Sequence, residues 1–174
     1  MNTSPAAKVP KNKSRERIPA RRVFTDPYCF LGFGFGTGLA PIAPGTFGTL
    51  AAIPLYLALS GLSAPLYGAI VVGLFLIGVP ICQRCEDRLG VSDHGGIVWD
   101  EIVGYLITLT AVPFSWPAAG LGFVLFRIFD ILKPWPIKRL DRTLHGGFGV
   151  MLDDAVAGLF AAACLHLLLP FIGG

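Results

Sequence analysis

Hydrophobic residues are concentrated in five long runs, separated by short segments that are polar or contain glycine and proline. The runs cover roughly residues 46–62, 66–81, 98–113, 118–132 and 150–171. A helix needs about 20 apolar residues to cross a bilayer core. The pattern therefore predicts an all-α membrane protein with a bundle of about five transmembrane helices. The second, third and fourth runs are short for this and would need polar ends or a locally thin bilayer.

Residues 27–44 do not fit the helical pattern. Tyr28 to Phe35 are apolar, but glycine or proline then recurs at short intervals up to Gly45. We predict an interfacial or re-entrant segment, because irregular backbone at membrane depth must be satisfied by protein or water. The Gly-x-Gly-x-Gly run within it lacks the preceding strand and the following acidic residue of a dinucleotide site.

Composition strengthens the membrane interpretation. The chain is 53% hydrophobic and 14% charged, with a mean hydropathy of +0.66, whereas soluble domains carry about 25% charged residues. Basic residues crowd residues 1–26, which we predict to be a disordered cytoplasmic tail that orients the first span rather than a nucleic-acid-binding arm. Residues 27–174 are predicted to form a single integral-membrane catalytic domain.

The distribution of lysine and arginine predicts the orientation of the helices. Basic residues occur in the tail, between the second and third runs, and between the fourth and fifth, whereas the turns at 63–65 and 114–117 carry no charge. Basic loops face the cytoplasm. We therefore expect the N-terminus to be cytoplasmic and the short C-terminus to lie on the other side.

The same orientation brings five of the eleven acidic residues to one depth. They lie at the predicted cytoplasmic ends of the third, fourth and fifth helices: Asp100, Glu101, Asp130, Asp153 and Asp154. The helix dipole accounts for one acid in a first turn, but not for two adjacent pairs, nor for Asp130 at a helix C-terminus. Divalent cations bound by carboxylate oxygens would neutralise such a cluster.

Small and basic residues accompany the acids. Gly104 follows Asp100 by four residues and Gly158 follows Asp154 by four, which predicts close helix packing on the same faces. Arg127 and Lys133 lie three residues on either side of Asp130 and can share its face. With Arg139 in the next loop they are candidates for holding phosphate oxygens.

A divalent cation beside these basic groups would suit metal-dependent phosphate hydrolysis. Phosphatase chemistries in which a protein side chain is the nucleophile fit the sequence less well. Cys82 and Arg88 match the Cys-x5-Arg pattern of cysteine phosphatases, but Glu86 and Asp87 would repel the anionic ligand, so we predict structural thiols. Neither an Asp-x-Asp pattern nor a histidine-nucleophile pattern occurs. A metal-activated water remains as the nucleophile.

Four segments resemble the phosphatidylglycerophosphatase A family. They are Ala43-Pro-Gly-Thr-Phe-Gly48, Asp93-His-Gly-Gly-Ile-Val-Trp-Asp-Glu-Ile-Val-Gly104, Phe126-Arg-Ile-Phe-Asp-Ile-Leu-Lys-Pro-Trp-Pro136 and His145-Gly-Gly-Phe-Gly-Val-Met-Leu-Asp-Asp-Ala-Val-Ala-Gly158. The resemblance runs from about Phe33 to about Ala163.

The resemblance implies Mg²⁺-dependent hydrolysis of phosphatidylglycerophosphate to phosphatidylglycerol and phosphate in the bacterial inner membrane. The motif acids of the family correspond to the five acids above, which we expect to be catalytic metal ligands. A carboxylate or His94 is the candidate base, and either His94 or His145 could protonate the leaving alkoxide. Thr37, Thr46 and Thr49 are candidates to line the site, with Thr46 as a phosphate ligand, or else to cap helices.

Two alternatives remain open from the residues alone. A phosphatase of another membrane lipid phosphate fits the same pattern. A small ion-coupled transporter would also place acids in a membrane, although the uncharged far side argues against it. We expect a phospholipid substrate and no nucleic-acid partner, and the sequence does not indicate an oligomeric state.

Overall fold

The computed structural model of the chain describes residues 18–172, and all regular secondary structure in that range is helical. The elements are α1 (Ala20–Thr25), α2 (Pro27–Gly32), a 3₁₀ helix (Gly34–Leu39), α3 (Pro44–Leu59), α4 (Ala64–Leu89), α5 (Trp99–Thr108), α6 (Trp116–Leu132), α7 (Ile137–Thr143) and α8 (Gly146–Ile172). The predicted all-α fold is confirmed.

The five predicted apolar runs all form helices: α3, α4, α5, α6 and α8. Among the described residues, however, only α4 and the Gly146–Phe171 part of α8 are long and apolar enough to be candidate membrane spans. Helix α5 has 10 residues and is about 15 Å long, because it ends at Thr108 and a turn with Ala111 at positive φ follows. The expected number of about five spans is therefore not confirmed.

Helix α8 is the centre of the molecule and packs against α4, α5, α6 and α7. Helix α5 lies between α8 and α3, so most of its side chains are buried. Gly104 and Gly158 allow the close approach of α5 and α8, because a Cβ added at Gly158 would collide with the carbonyl oxygen of Gly104. This confirms the predicted packing role of the two glycines.

The N-terminal part of the described chain is more ordered than the sequence suggests. Residues 20–25, which we expected within a disordered tail, form α1 with Val23 buried. Asp26 then caps α2 by accepting hydrogen bonds from the backbone N–H groups of Tyr28 and Cys29. The rest of the predicted tail, residues 1–17, lies outside the described residues.

The segment over residues 27–44 packs against the helices, with α2 in contact with α4 and the 3₁₀ helix in contact with α3. Its backbone reverses through positive φ values at Gly34, Phe35 and Gly36. A side chain at Gly38 would collide with the carbonyl oxygen of Gly96. The glycines thus hold this segment against the loop that precedes α5.

Helix α8 begins at Gly146 instead of near residue 150, so Asp153 and Asp154 lie two turns inside it rather than in its first turn. The early start has a packing reason. Gly147 fits directly against the α4 backbone near Gln83, whose side-chain oxygen accepts the Gly147 N–H at 2.9 Å. This side-chain contact caps the helix, and no local sequence pattern indicates it.

Candidate active site

A cavity of about 1000 Å³ lies beside the C-terminal end of α4 and the beginning of α8. Its walls come from the segment Gly38–Gly45, the loop 92–97, the first turn of α5, the end of α6, and the α7–α8 junction. All five acids named from the sequence line it: Asp100, Glu101, Asp130, Asp153 and Asp154. Three helices therefore bring these carboxylates together, as their common depth suggested.

Three of the carboxylates form the tightest group. Asp100, Glu101 and Asp154 each offer an oxygen that lies within 4.8 Å of the other two. Asp100 Oδ1, Glu101 Oε2 and Asp154 Oδ2 are buried and have no hydrogen-bond partner in the described structure. Three converging carboxylates of this kind would repel one another strongly without a cation between them. Oxygen donors suit a hard divalent ion such as Mg²⁺, so the residues present fit a metal site.

The fourth carboxylate, Asp130, is paired with arginine. Arg127 Nη1 lies 2.5 Å from Asp130 Oδ2 and 3.9 Å from Glu101 Oε1. Arg127 thus links Asp130 to the group of three, while its Nε has no hydrogen-bond partner within residues 18–172. The Arg127 guanidinium lies in the cavity wall, where it could contact a bound anion.

Lys133 is paired with two carboxylates. Its ammonium donates to Asp153 and, at 3.2 Å, to Asp141 Oδ1. Burial alone would lower the pKa of Lys133, but the charges of Asp153, Asp154 and Asp141 outweigh it and raise that pKa above its usual range. The lysine that we expected to hold phosphate is therefore a fixed cation between two acids.

The beginning of α3 also reaches the site. Ala43 adopts a left-handed conformation, and Pro44 then starts the helix. A side chain at Gly45 would push against Glu101 Oε1 and Arg127 Nη1, so glycine leaves these two side chains free to hold their positions beside α3. The Ala43-Pro-Gly segment therefore forms the wall of the cavity at Glu101 and Arg127.

The histidines lie in different settings. His94 is nearly buried in the lining, is stacked on Phe33 and accepts the N–H of Gly96 at Nδ1 (3.0 Å). His145 also lines the cavity but is exposed.

Several candidates are not brought to the cavity. Thr46 and Arg139 are not among its lining residues. Thr37 and Thr49 donate to the backbone carbonyls of Gly34 and Gly45, both at 2.9 Å, and do not line it either. The hydroxyls of Thr37 and Thr49 thus serve the local backbone and not the cavity.

Three acidic lining residues were missed in the sequence: Glu86, Asp93 and Asp141. Glu86 is buried and accepts the backbone N–H of Asp93. None of the three lies at an end of a predicted apolar run, so the argument from common depth did not select them. For Asp93, its place in one of the four quoted motifs was an available signal.

The cysteine-phosphatase alternative finds no support in the structure. Cys82 is fully buried and its thiol contacts the Met151 sulfur at 3.8 Å. Arg88 is exposed and pairs with Asp26 at 2.6 Å. The two residues do not share an anion site.

A family model and two named relatives indicate the same family for this chain. Residues 30–169 match the family described as phosphatidylglycerophosphatase A. The chain is 45% identical to phosphatidylglycerophosphatase A of Escherichia coli K12, over 92% of both chains. It is 44% identical to the Haemophilus influenzae protein of the same name, over 84% of this chain and 91% of that protein.

A third relative carries a different name. A protein of Bacteroides thetaiotaomicron, provisionally named as a phosphatidylinositol-3-phosphatase, is 39% identical over 75% of this chain and 86% of its own length. No solved structure matches the chain.

Proposed function

Since the chain belongs to the phosphatidylglycerophosphatase A family, we propose that it hydrolyses the phosphomonoester of phosphatidylglycerophosphate to phosphatidylglycerol and phosphate. The observation that carries this proposal is the cavity in which Asp100, Glu101 and Asp154 converge beside Arg127. The converging acids suit a cation, and the arginine suits an anion. A metal-dependent phosphatase needs both.

We propose that Mg²⁺ is held by Asp100, Glu101 and Asp154, because each offers a carboxylate oxygen within 4.8 Å of the other two and hard oxygen ligands suit this ion. Asp153 also has a buried oxygen, Oδ1, without a hydrogen-bond partner among the described residues. When bound, the ion would neutralise phosphate charge and lower the pKa of water. Asp130 and Asp153, also expected as ligands, are held by Arg127 and Lys133. Their proposed role is to fix these cations and complete the charge balance around the site.

The protein side chains would orient the phosphate and manage protons. Arg127 has an Nε–H without a partner, and it would donate this to a phosphate oxygen. His94 and His145 both line the same cavity, but Nδ1 of His94 already accepts a hydrogen bond from Gly96. We propose that His145, in its protonated form, gives a proton to the departing glycerol oxygen, which is a poor leaving group without one. A carboxylate of the lining would accept the proton of the attacking water.

The arrangement of basic residues supports a membrane location with the site on the cytoplasmic side. The end of α4 and the start of α8 meet at Gln83 and Gly147, so the cavity lies at one end of the two candidate spans. Arg84, Arg88, Lys138, Arg139 and Arg142 are exposed near the same end. Under the positive-inside rule this end is cytoplasmic, and the proposed membrane is the bacterial inner membrane.

The test is phosphate release by the purified protein from phosphatidylglycerophosphate in detergent. We expect activity with Mg²⁺, loss on chelation and recovery on adding Mg²⁺ back. Asp154→Asn should lower kcat at least about 100-fold and weaken Mg²⁺ binding measured by calorimetry. Asp87→Asn is the matched control, because Asp87 is exposed and is not among the lining residues. Activity that persists in chelator would disprove the metal mechanism.

A phosphatase of another lipid phosphate is the second candidate, favoured by the name of the Bacteroides relative. The two substrates differ in the group that carries the phosphate. Parallel assays with phosphatidylglycerophosphate and phosphatidylinositol 3-phosphate decide between them through the ratio of kcat/KM. The transporter alternative gains no support from the family or from the named relatives.

A further inference from the structure

The lining of the cavity is rich in charged side chains, but it also includes two large, exposed apolar side chains. Ile42 and Ile131 both line it, although 78% and 66% of these residues are exposed. Among the described residues, they are the two large apolar side chains that are both in the lining and mainly exposed. We call Ile42 and Ile131 the apolar lip.

Each residue of the lip is connected to the charged interior by the chain itself. Ile131 follows Arg127 by four residues on α6, so both lie on the face of that helix that lines the cavity. Ile42 lies three residues before Gly45, and Gly45 packs against Glu101 and Arg127. Each residue of the apolar lip therefore lies three or four residues along the chain from Arg127 or from the glycine that packs against it.

This separation of polar and apolar surface matches an amphiphile. A lipid phosphomonoester has an anionic headgroup, which suits Arg127 and the cation site, and acyl chains, which suit exposed isoleucine. Building on the proposed function, we propose that the cavity opens sideways to the lipid phase at Ile42 and Ile131. The acyl chains of the substrate lie against this lip while the phosphate lies at Arg127.

A polar side chain at the lip would face an acyl chain without a hydrogen-bond partner, which disfavours substrate binding but leaves the reacting groups unchanged. Ile42→Ser and Ile131→Ser should therefore raise the KM for long-chain phosphatidylglycerophosphate about tenfold, with kcat within about twofold of wild type. The KM is measured in mixed micelles in which the mole fraction of substrate is varied.

Leu132→Ser is the matched control. Leu132 is next to Ile131 on the same helix and is 70% exposed, but it does not line the cavity. Its KM should stay within about twofold of wild type. Thermal unfolding in detergent confirms that all three variants are folded.

Other outcomes have distinct meanings. An equal rise of KM in Leu132→Ser, unchanged KM in both lip variants, or a fall of kcat without a change of KM would overturn the apolar lip while leaving the proposed function standing. A wild-type protein that releases no phosphate would instead overturn the proposed function, and this inference with it.

Discussion

Lys133 shows what a single residue contributes to this site. It ends α6 in a left-handed conformation, and this turn of the backbone directs its ammonium to Asp153 and Asp141. Those two acids come from α8 and α7. One lysine therefore ties three helices together at the edge of the cavity.

Replacement of Lys133 by methionine should destabilise the protein. Asp153 is buried and would lose its positive partner, and an uncompensated buried charge costs about 3 kcal/mol. We expect a lower midpoint of thermal unfolding in detergent, together with loss of phosphatase activity. Arg142→Met, an exposed position on the adjacent α7, should leave both unchanged.

The contrary result is equally clear. If Lys133 acted only as a phosphate ligand, Lys133→Met would raise KM without lowering the unfolding midpoint. Lys133→Arg keeps the charge and should recover part of the stability. A variant as stable as wild type would contradict the pairing role.

Sequence reasoning reached the five acids and placed Arg127 beside Asp130, but it did not find the carboxylates that pair with Lys133. Asp100 and Glu101 lie in the first turn of α5 as predicted, and Asp154, although two turns inside α8, lines the same cavity. The pairing of Lys133 with Asp141 depends on how α7 turns back towards α8, and the burial of Glu86 depends on how the loop before α5 folds over α4. Neither is encoded in the spacing of nearby residues.

At the scale of elements, the contact of α5 with α8 holds the site together. Asp100 and Glu101 come from α5 and Asp154 from α8. Their convergence depends on Gly104 and Gly158, at which the two backbones nearly touch. The sequence predicted this contact because each glycine follows an acid by one helical turn.

Gly158→Ala should therefore separate the two helices. The new methyl group would collide with the carbonyl oxygen of Gly104, which is backbone and cannot rotate away. We expect a destabilisation of about 1–3 kcal/mol, seen as a lower unfolding midpoint, and weaker Mg²⁺ binding.

Gly73→Ala in the middle of α4 is the matched control, because a Cβ there meets nothing within 4 Å. Alanine is the better helix former by about 0.5–1 kcal/mol, so this variant should be unchanged or slightly more stable. Equal effects of the two substitutions would show that the contact of α5 with α8 does not position the acids.

The lengths of the elements were harder to predict than their existence. The run at 98–113 contains the helix α5, but Pro113 and the turn at Ala111 end it early. Helix α8 begins early because Gln83 of α4 caps it. Both boundaries are decided by local backbone chemistry or by a distant side chain, which hydrophobic periodicity does not report.

In the whole molecule, the exposed basic residues and the candidate active site lie at the same end. The cavity and the exposed basic residues of α4 and α7 are together near the junction of α4 and α8. The turn between α3 and α4, at the other end of α4, contains no charged residue from Leu59 to Ala64. This asymmetry makes orientation a property that one experiment can measure.

Single cysteines at the two ends should react from opposite sides of the membrane. Gly61→Cys lies in the uncharged turn and Lys138→Cys on α7, and both positions are exposed. Cys29, Cys82 and Cys85 are buried, and the half-buried Cys164 is replaced by alanine as background. In spheroplasts, a maleimide that cannot cross membranes should label Gly61→Cys directly and Lys138→Cys only after permeabilisation, because basic segments stay in the cytoplasm. The reverse pattern would place the cavity on the outer face, and labelling of both cysteines in intact spheroplasts would show that α4 does not span the membrane.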